Sequence, residues 1–174
     1  MTLASRRRTL AVLAAAPVAL GGCASSPVQQ FPDWASARRA IEGLRASPAR
    51  SGTAWDLAQV LQHLAQSIEY SMSGFPELKP GWFRASVGRA AFAVFDARGR
   101  MSHGLTEPIP GAPALAEGQP LGAAADRLLK AMAAFDAVDG SLQPHFAYGV
   151  LDKPSYARAH LMHLADHWTQ VIAA

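Results

Sequence analysis

Histidine is the residue type with the clearest chemical potential in this sequence. Six histidines occur, and three of them lie close together near the carboxyl end, at His160, His163 and His167. His163 and His167 are four residues apart, so on a helix their imidazoles face the same side and can converge on one ion. His63 lies in an earlier amphipathic segment and could supply a third imidazole from across a helical bundle.

Helical-wheel positions agree with that arrangement. His63 lies on the flank of the apolar stripe of its helix, and the three late histidines lie on the matching flank of theirs. We therefore expect a site in a groove that opens toward solvent, outside the deep core. Three protein ligands and one open position are the usual arrangement of a catalytic zinc. Imidazole also suits nickel, iron and copper, and surface histidines often show the same spacing without binding metal.

The other polar residues near these histidines have simpler interpretations. His160 and His145 are candidates to lie next to the metal ligands and to support them without binding the metal themselves. His103 and His145 lie in predicted loops, where we expect polar loop residues, although His145 could also bond to the loop backbone. Asp166 and Glu69 fall on polar helix faces, so we expect solvated charges there. The sequence identifies no general base.

Five amphipathic helices are predicted to position these residues, and no strong alternating strand pattern is visible. The predicted helices span about 33–46, 53–73, 81–96, 121–138 and 154–172. Asp33 and Asp152 are plausible N-caps, and Pro154 suits the first turn of the last helix. The proline-rich stretch 99–118 cannot be regular helix and indicates an ordered surface loop. The pattern predicts an all-α fold, a four-helix bundle with an extra N-terminal helix.

The first 23 residues resemble a bacterial export signal. Three arginines at positions 6–8 precede an apolar run over 10–20, which is too short to span a bilayer as a stable helix. The tetrapeptide that ends at Cys23 resembles a lipobox, in which the chain is cut before the cysteine and the cysteine is lipidated. An ordinary signal peptide with a chance cysteine is the alternative. The predicted organisation is a signal peptide over 1–22, a lipidated tether over 23–30 and a helical domain over 31–174.

The export route and the destination follow from the same segment. The arginine run also resembles a twin-arginine signal, but Thr9 stands where phenylalanine is usual, so Sec and twin-arginine export both remain open. A lipid on Cys23 would anchor the protein on the periplasmic side of the cell envelope. Ala24 gives no acidic retention signal for the inner membrane, so the outer membrane is the expected location. Membrane lipid is therefore a predicted partner.

Composition excludes several classes of protein. A chain of 174 residues suits one domain with a proper core. The single cysteine excludes an internal disulfide framework and zinc sites built from several thiolates. The formal charge of +3 belongs to the leader, because three of the 16 basic residues lie within the first 22 positions and leave 13 against 13 acidic residues. A neutral mature chain is not expected to bind nucleic acid.

Three stretches together resemble the DinB-like (YfiT-like) superfamily of metalloenzymes, and more closely an uncharacterised domain-of-unknown-function branch of it. These stretches are residues 55–71, 144–151 and 163–170, and the likeness covers about residues 31–173. The resemblance implies a four-helix bundle with a long irregular crossover. It also implies a divalent metal, zinc or nickel, held by His63, His163 and His167.

Two functions stay open from the sequence. The first is a metal-dependent enzyme, a hydrolase or transferase, whose metal acts as a Lewis acid or lowers the pKa of bound water. The superfamily includes thiol-dependent transferases, but low-molecular-weight thiols are mainly cytosolic, which disfavours that chemistry for an exported protein. The second is a non-catalytic envelope lipoprotein that binds a small ligand or a protein partner. The resemblance also allows a homodimer.

Overall fold

The computed structural model describes residue 26, residues 28–47 and residues 49–174. The predicted signal peptide and Cys23 lie outside the described residues. The predicted all-α fold is confirmed, because helices dominate the described chain. The helical elements are α1 (Trp34–Gly43), α2 (Leu57–Ser73), α3 (Gly81–Phe83), a π-helical turn (Arg84–Gly88), α4 (Arg89–Arg98), α5 (Leu121–Asp136) and α6 (Lys153–Trp168).

Aspartate caps set the starts of three helices. The side chains of Asp33 and Asp56 each accept a hydrogen bond of 2.7 Å from the backbone N–H three residues later. In both cases the side chain of that later residue accepts a hydrogen bond from the backbone N–H of the aspartate, which completes a capping box. Asp152 accepts from the backbone N–H of Ser155 at 2.9 Å, and Pro154 occupies the first turn. The cap at Asp56 explains why α2 begins at Leu57, later than the predicted start near 53.

Helix α2 lies at the centre of the bundle and packs mainly against α5 and α6. The apolar faces of these helices form one core, in which each large side chain contributes about 1.5–3 kcal/mol through burial. The largest fully buried hydrophobic side chains of these three helices are Leu61, Leu64, Leu128, Met132, Phe135, Tyr156, Met162 and Leu164. Because His63 lies in the middle of α2, its position is fixed by packing on both sides.

The long connection between α4 and α5 is irregular, as its prolines predict. Two glutamines of α2 hold it against the bundle. The side-chain amide of Gln62 donates to the carbonyl of Ala116 at 2.9 Å and accepts from the N–H of Ala116 at 3.0 Å. The amide of Gln66 donates to the carbonyl of Pro113 at 3.3 Å. These bonds give the connection a defined path close to α2.

Three features were not predicted. Strand β1 (Ala49–Ser51) pairs antiparallel with strand β2 (Val171–Ala173), and α6 ends at Trp168 instead of continuing to about 172. Strands of three residues are too short for an alternating pattern to show in sequence. The helix predicted over 81–96 extends to Arg98 and contains the π-helical turn.

The segment before α1 contacts the bundle. The carbonyl of Ser26 accepts from Nη2 of Arg158 at 3.0 Å, and the side chains of Val28 and Phe31 are buried. Of the helices within the described residues, none has the length and apolarity needed to cross a membrane.

Candidate metal centre

Four histidines from three separate segments converge on one point. His63 comes from α2, His163 and His167 come from α6, and His103 comes from the loop after α4. One ring nitrogen from each lies within 4.8 Å of the others. The three ligands expected from the sequence are thus brought together, and His103 joins them.

Ordinary helix geometry explains the placement of three of these rings. His163 and His167 are one turn apart on α6, so their imidazoles share a face, with ring centroids 4.9 Å apart. Helix α6 packs against α2, and that contact brings the ring of His63 to 5.0 Å from each of them. The site therefore depends on the packing of two helices.

The fourth ring, that of His103, is held at the cluster by hydrogen bonds to Asp166. The Oδ2 atom of Asp166 accepts from Nδ1 of His103 at 2.7 Å and from the backbone N–H of His103 at 3.1 Å. A carboxylate that accepts from Nδ1 leaves Nε2 of the neutral ring with a free lone pair. This Nε2 atom of His103 belongs to the cluster and lies 3.2 Å from Nε2 of His167.

The spacing of the nitrogens suits a metal ion. Nε2 of His63 lies 3.2 Å from Nε2 of His163, the same separation as in the pair formed by His103 and His167. A tetrahedral ion with bonds of about 2.0–2.1 Å to imidazole nitrogens holds neighbouring nitrogens about 3.3 Å apart. An imidazole that holds its proton on Nδ1 binds metal through Nε2, and a carboxylate behind it fixes the ring, as Asp166 does for His103.

Burial favours the neutral form of His63, His163 and His167, which is the form that binds metal. Desolvation, with a smaller contribution from His103, lowers the pKa of His63 to about 4. Desolvation and the neighbouring rings lower the pKa of His167 to about 3 and that of His163 well below its usual value. Nδ1 of His63 is buried and has no hydrogen-bond partner among the described residues.

Three expectations about this region were wrong. His103 was expected to be a polar loop residue and Asp166 a solvated surface charge, yet the two are hydrogen-bonded at the cluster. A groove outside the core was also expected, but His63 and His167 are only 3% and 2% exposed. The sequence contained no signal for His103, because its spacing to the other histidines falls across an irregular loop. Glu69 forms a bidentate ion pair with Arg127, away from the cluster.

A cavity of about 200 Å³ adjoins the cluster. His63, His103 and His163 form part of its wall, and Lys79 and Glu107 contribute one positive and one negative side chain to it. The apolar part of the wall comes from Met101, Pro108, Ile109, Pro110, Phe146 and Ala159. A small organic molecule in this cavity would therefore contact three of the four clustered histidines directly.

The two supporting histidines expected from the sequence, His160 and His145, also line this cavity. The ring of His160 stacks on Tyr156 and meets Phe135 edge-on, and its buried Nε2 has no hydrogen-bond partner among the described residues. Nδ1 of His145 accepts from two backbone N–H groups of its own loop. Burial lowers the pKa of each of these two histidines to about 3.

Comparisons with known proteins give a family and no described activity. No curated protein and no solved structure gives a significant match. One family model, described as a protein of unknown function (DUF1569), matches residues 26–174. This span includes the four clustered histidines, Asp166 and the cavity wall. The chain therefore belongs to the DUF1569 family of proteins of unknown function.

Proposed function

We propose that this protein is a DinB-like metalloenzyme that binds one divalent ion at its four-histidine cluster and acts on a small molecule in the adjoining cavity. The observation that carries the proposal is the convergence of four imidazole nitrogens within 4.8 Å at the wall of a cavity. The resemblance of the three histidine-bearing stretches to the DinB-like superfamily supports it.

The residues that would hold the ion are His63, His163 and His167, with His103 as the fourth. A bound divalent metal supplies Lewis-acid polarisation of a substrate oxygen or activation of water. The protein contributes four ring nitrogens that lie close together, and burial favours the neutral form of His63, His163 and His167. Asp166 adds a fixed orientation for His103. The apolar cavity wall limits the access of water to the bound substrate.

The donor set favours zinc or nickel. Imidazole nitrogen is a borderline ligand that suits zinc, nickel, copper and iron. The candidate cluster in the described residues contains no thiolate and no carboxylate, so the oxygen-preferring ions magnesium and calcium are disfavoured. We therefore propose zinc or nickel as the resident ion.

Metal analysis of the purified mature protein tests this proposal. We expect about one divalent ion per chain. We also expect a large loss of metal in His163→Ala and in His167→Ala. His160→Leu provides a matched control on the same helix, because His160 lies outside the cluster, and it should retain its metal. Full occupancy in both alanine variants would contradict the assigned site.

A second candidate is a non-catalytic metal-binding protein. Four protein ligands around one ion are typical of structural zinc sites, whereas catalytic sites keep a position open. The visible absorption of the cobalt-loaded protein distinguishes the two when azide is added. A spectral change supports the enzyme, because azide must then enter the coordination sphere. An unchanged spectrum at saturating azide supports the closed site.

We also propose that the mature protein is exported and anchored to the envelope through a lipid on Cys23, at the outer membrane. The leader and the lipobox-like tetrapeptide support this. The test is cell fractionation of wild type and Cys23→Ser, with Ser25→Ala as the matched control. Wild type and control should be found in the membrane fraction, and Cys23→Ser should not. Membrane association of Cys23→Ser equal to wild type would count against the anchor.

A further inference from the structure

The loop that carries His145 is held tightly in place. His145 and Gly149 form a two-way backbone bridge, in which the N–H of His145 donates to Gly149 at 2.8 Å and the N–H of Gly149 donates back at 3.2 Å. Gly149 has φ of +78°, a conformation that disfavours other residues. The carbonyl of Phe146 accepts from the N–H of Lys79 at 2.9 Å, which ties the loop to the segment before α3.

The π-helical turn packs directly against this loop. A Cβ atom on Gly88 would lie 1.8 Å from the carbonyl oxygen of Ala147, so the helix and the loop can approach this closely only at a glycine. A Cβ on Gly149 would lie 3.3 Å from the carbonyl oxygen of Arg84 at the start of the turn. π-Helical turns are often found at functional sites. Here the turn packs against the loop that carries His145 and holds its backbone in place.

The backbone of the loop determines where His145 carries its proton. Nδ1 accepts from the N–H groups of Ala147 and Tyr148, each at 3.1 Å. A nitrogen that accepts these bonds carries no hydrogen, so the neutral ring has its proton on Nε2. The ring also stacks on Tyr148, with centroids 4.2 Å apart and planes at 5°, which prevents it from turning over.

The Nε2 atom of His145 is unused within the protein. It has no hydrogen-bond partner among the described residues, although the ring is only 8% exposed and lines the cavity next to the cluster. A water molecule or a ligand in the cavity can therefore accept a hydrogen bond from this N–H. A fixed donor in a mostly apolar cavity is a typical specificity element for a small molecule.

We propose that His145 is a substrate-binding residue whose Nε2–H donates a hydrogen bond to a carbonyl or carboxylate oxygen of a small, mainly apolar organic molecule in the cavity. The inference rests on the proposed function in one respect only, namely that this cavity is the one in which the substrate reacts. Lys79 and Glu107 line the same cavity with opposite charges, so the hydrogen bond from His145 is the interaction that this proposal assigns to the ligand oxygen.

Benzoate is a suitable probe because it combines an apolar body with an oxygen acceptor and is small enough for the cavity. The key variant is His145→Asn. The side-chain oxygen of asparagine can still accept from the loop N–H groups, as Nδ1 does, but no donor remains at the position of Nε2. Asp139→Asn is the control, because Asp139 is exposed and is not part of the cavity wall.

Calorimetric titration of the metal-loaded full-length mature protein gives the result. We expect benzoate to bind wild type and Asp139→Asn with similar affinity. We expect it to bind His145→Asn about tenfold more weakly, which is the effect of losing one hydrogen bond to a charged group. Equal affinity for His145→Asn and wild type, or no binding to wild type, would overturn the proposal.

A second measurement does not depend on the variant folding. Two-bond ¹H–¹⁵N spectra of wild type should show His145 protonated on Nε2, with that resonance shifted when benzoate is added. A proton on Nδ1, or a resonance that benzoate leaves unchanged, would overturn the proposal. Metal content measured in the same samples tests the proposed metal site separately from the proposed role of His145. Benzoate can bind through His145 even if the cluster proves to hold no metal.

Discussion

The carboxylate of Asp166 accepts two hydrogen bonds from His103, one from Nδ1 at 2.7 Å and one from the backbone N–H at 3.1 Å. The two residues are 63 positions apart, and the pair joins α6 to the irregular connection. One carboxylate thus sets both the path of the loop and the orientation of the ring. The position of His103 in the cluster depends on an acid that is not itself one of the clustered groups.

Replacing Asp166 with asparagine should therefore weaken metal binding without abolishing it. The amide lacks the charge that holds the Nδ1 proton of His103 and raises the basicity of Nε2. Loss of such a partner typically costs about 10–100-fold in metal affinity. Competition with a chromophoric chelator measures the affinity. The exposed Asp139→Asn variant is the control and should match wild type, and an unchanged affinity in Asp166→Asn would contradict the role given to the carboxylate.

His103 itself should matter less than the helical pair. In His103→Asn three imidazoles remain, enough for a protein zinc site, so we expect weaker but measurable metal binding. The double variant of His163→Ala and His167→Ala keeps only two rings and should lose the metal. Metal content after dialysis against a weak chelator distinguishes the two. Loss of metal from His103→Asn as complete as from the double variant would contradict this ranking.

The sequence was informative wherever the chemistry follows a helical repeat. The pair at His163 and His167 is set by one turn of helix, and His63 lies on a strongly amphipathic helix, so both were predictable. His103 and Asp166 were not, because their contact depends on the path of an irregular loop that local spacing does not determine. The depth of burial was missed for a related reason. The connection is bonded to Gln62 and Gln66, and its residues 108–110 form a cavity wall together with His63 and His163.

Local packing also produced features that periodicity could not show. The π-helical turn arises where Gly88 meets the carbonyl of Ala147, a contact between segments almost 60 residues apart. The prediction that this region is helical was correct, but a regular α-helix was expected and a π-helical turn interrupts it. The small sheet has the same explanation, because pairing between the two ends of the domain creates it and neither strand has a pattern of its own.

The buried histidines should make the metal-free protein sensitive to acid. Burial lowers the pKa of His160 to about 3, whereas an unfolded histidine titrates near 6.5. The unfolded state thus binds more protons between these values, so stability is complete above about pH 6.5 and falls as the pH decreases toward 3. Each such histidine contributes a slope of about 1.4 kcal/mol per pH unit within that window.

His160→Leu isolates one contribution to that slope. The leucine removes a titrating group whose buried Nε2 has no partner among the described residues and lies beside Phe135 and Tyr156. Urea unfolding of chelator-treated protein at pH 7, 6 and 5 should show a slope shallower by about 1.4 kcal/mol per pH unit below pH 6. A slope identical to that of wild type would mean that His160 titrates normally in the folded state.

Gly88→Ala should disturb the loop that orients His145. The added Cβ would lie 1.8 Å from the carbonyl oxygen of Ala147 and 2.9 Å from its carbon, and both are backbone atoms that cannot rotate away. We expect a loss of about 1–3 kcal/mol in the free energy of unfolding, the usual cost of overpacking. Weaker benzoate binding should accompany it, because the loop must shift.

Gly122→Ala in α5 is the matched control. No heavy atom lies within 4 Å of a Cβ at that exposed helical position, so alanine there should be neutral or stabilising by up to about 1 kcal/mol. Urea denaturation at pH 7 measures both variants. If Gly88→Ala were as stable as Gly122→Ala, the turn and the loop could separate without a cost in free energy. The packing of the turn would then not hold His145 in a fixed position, which would contradict its role as a fixed hydrogen-bond donor.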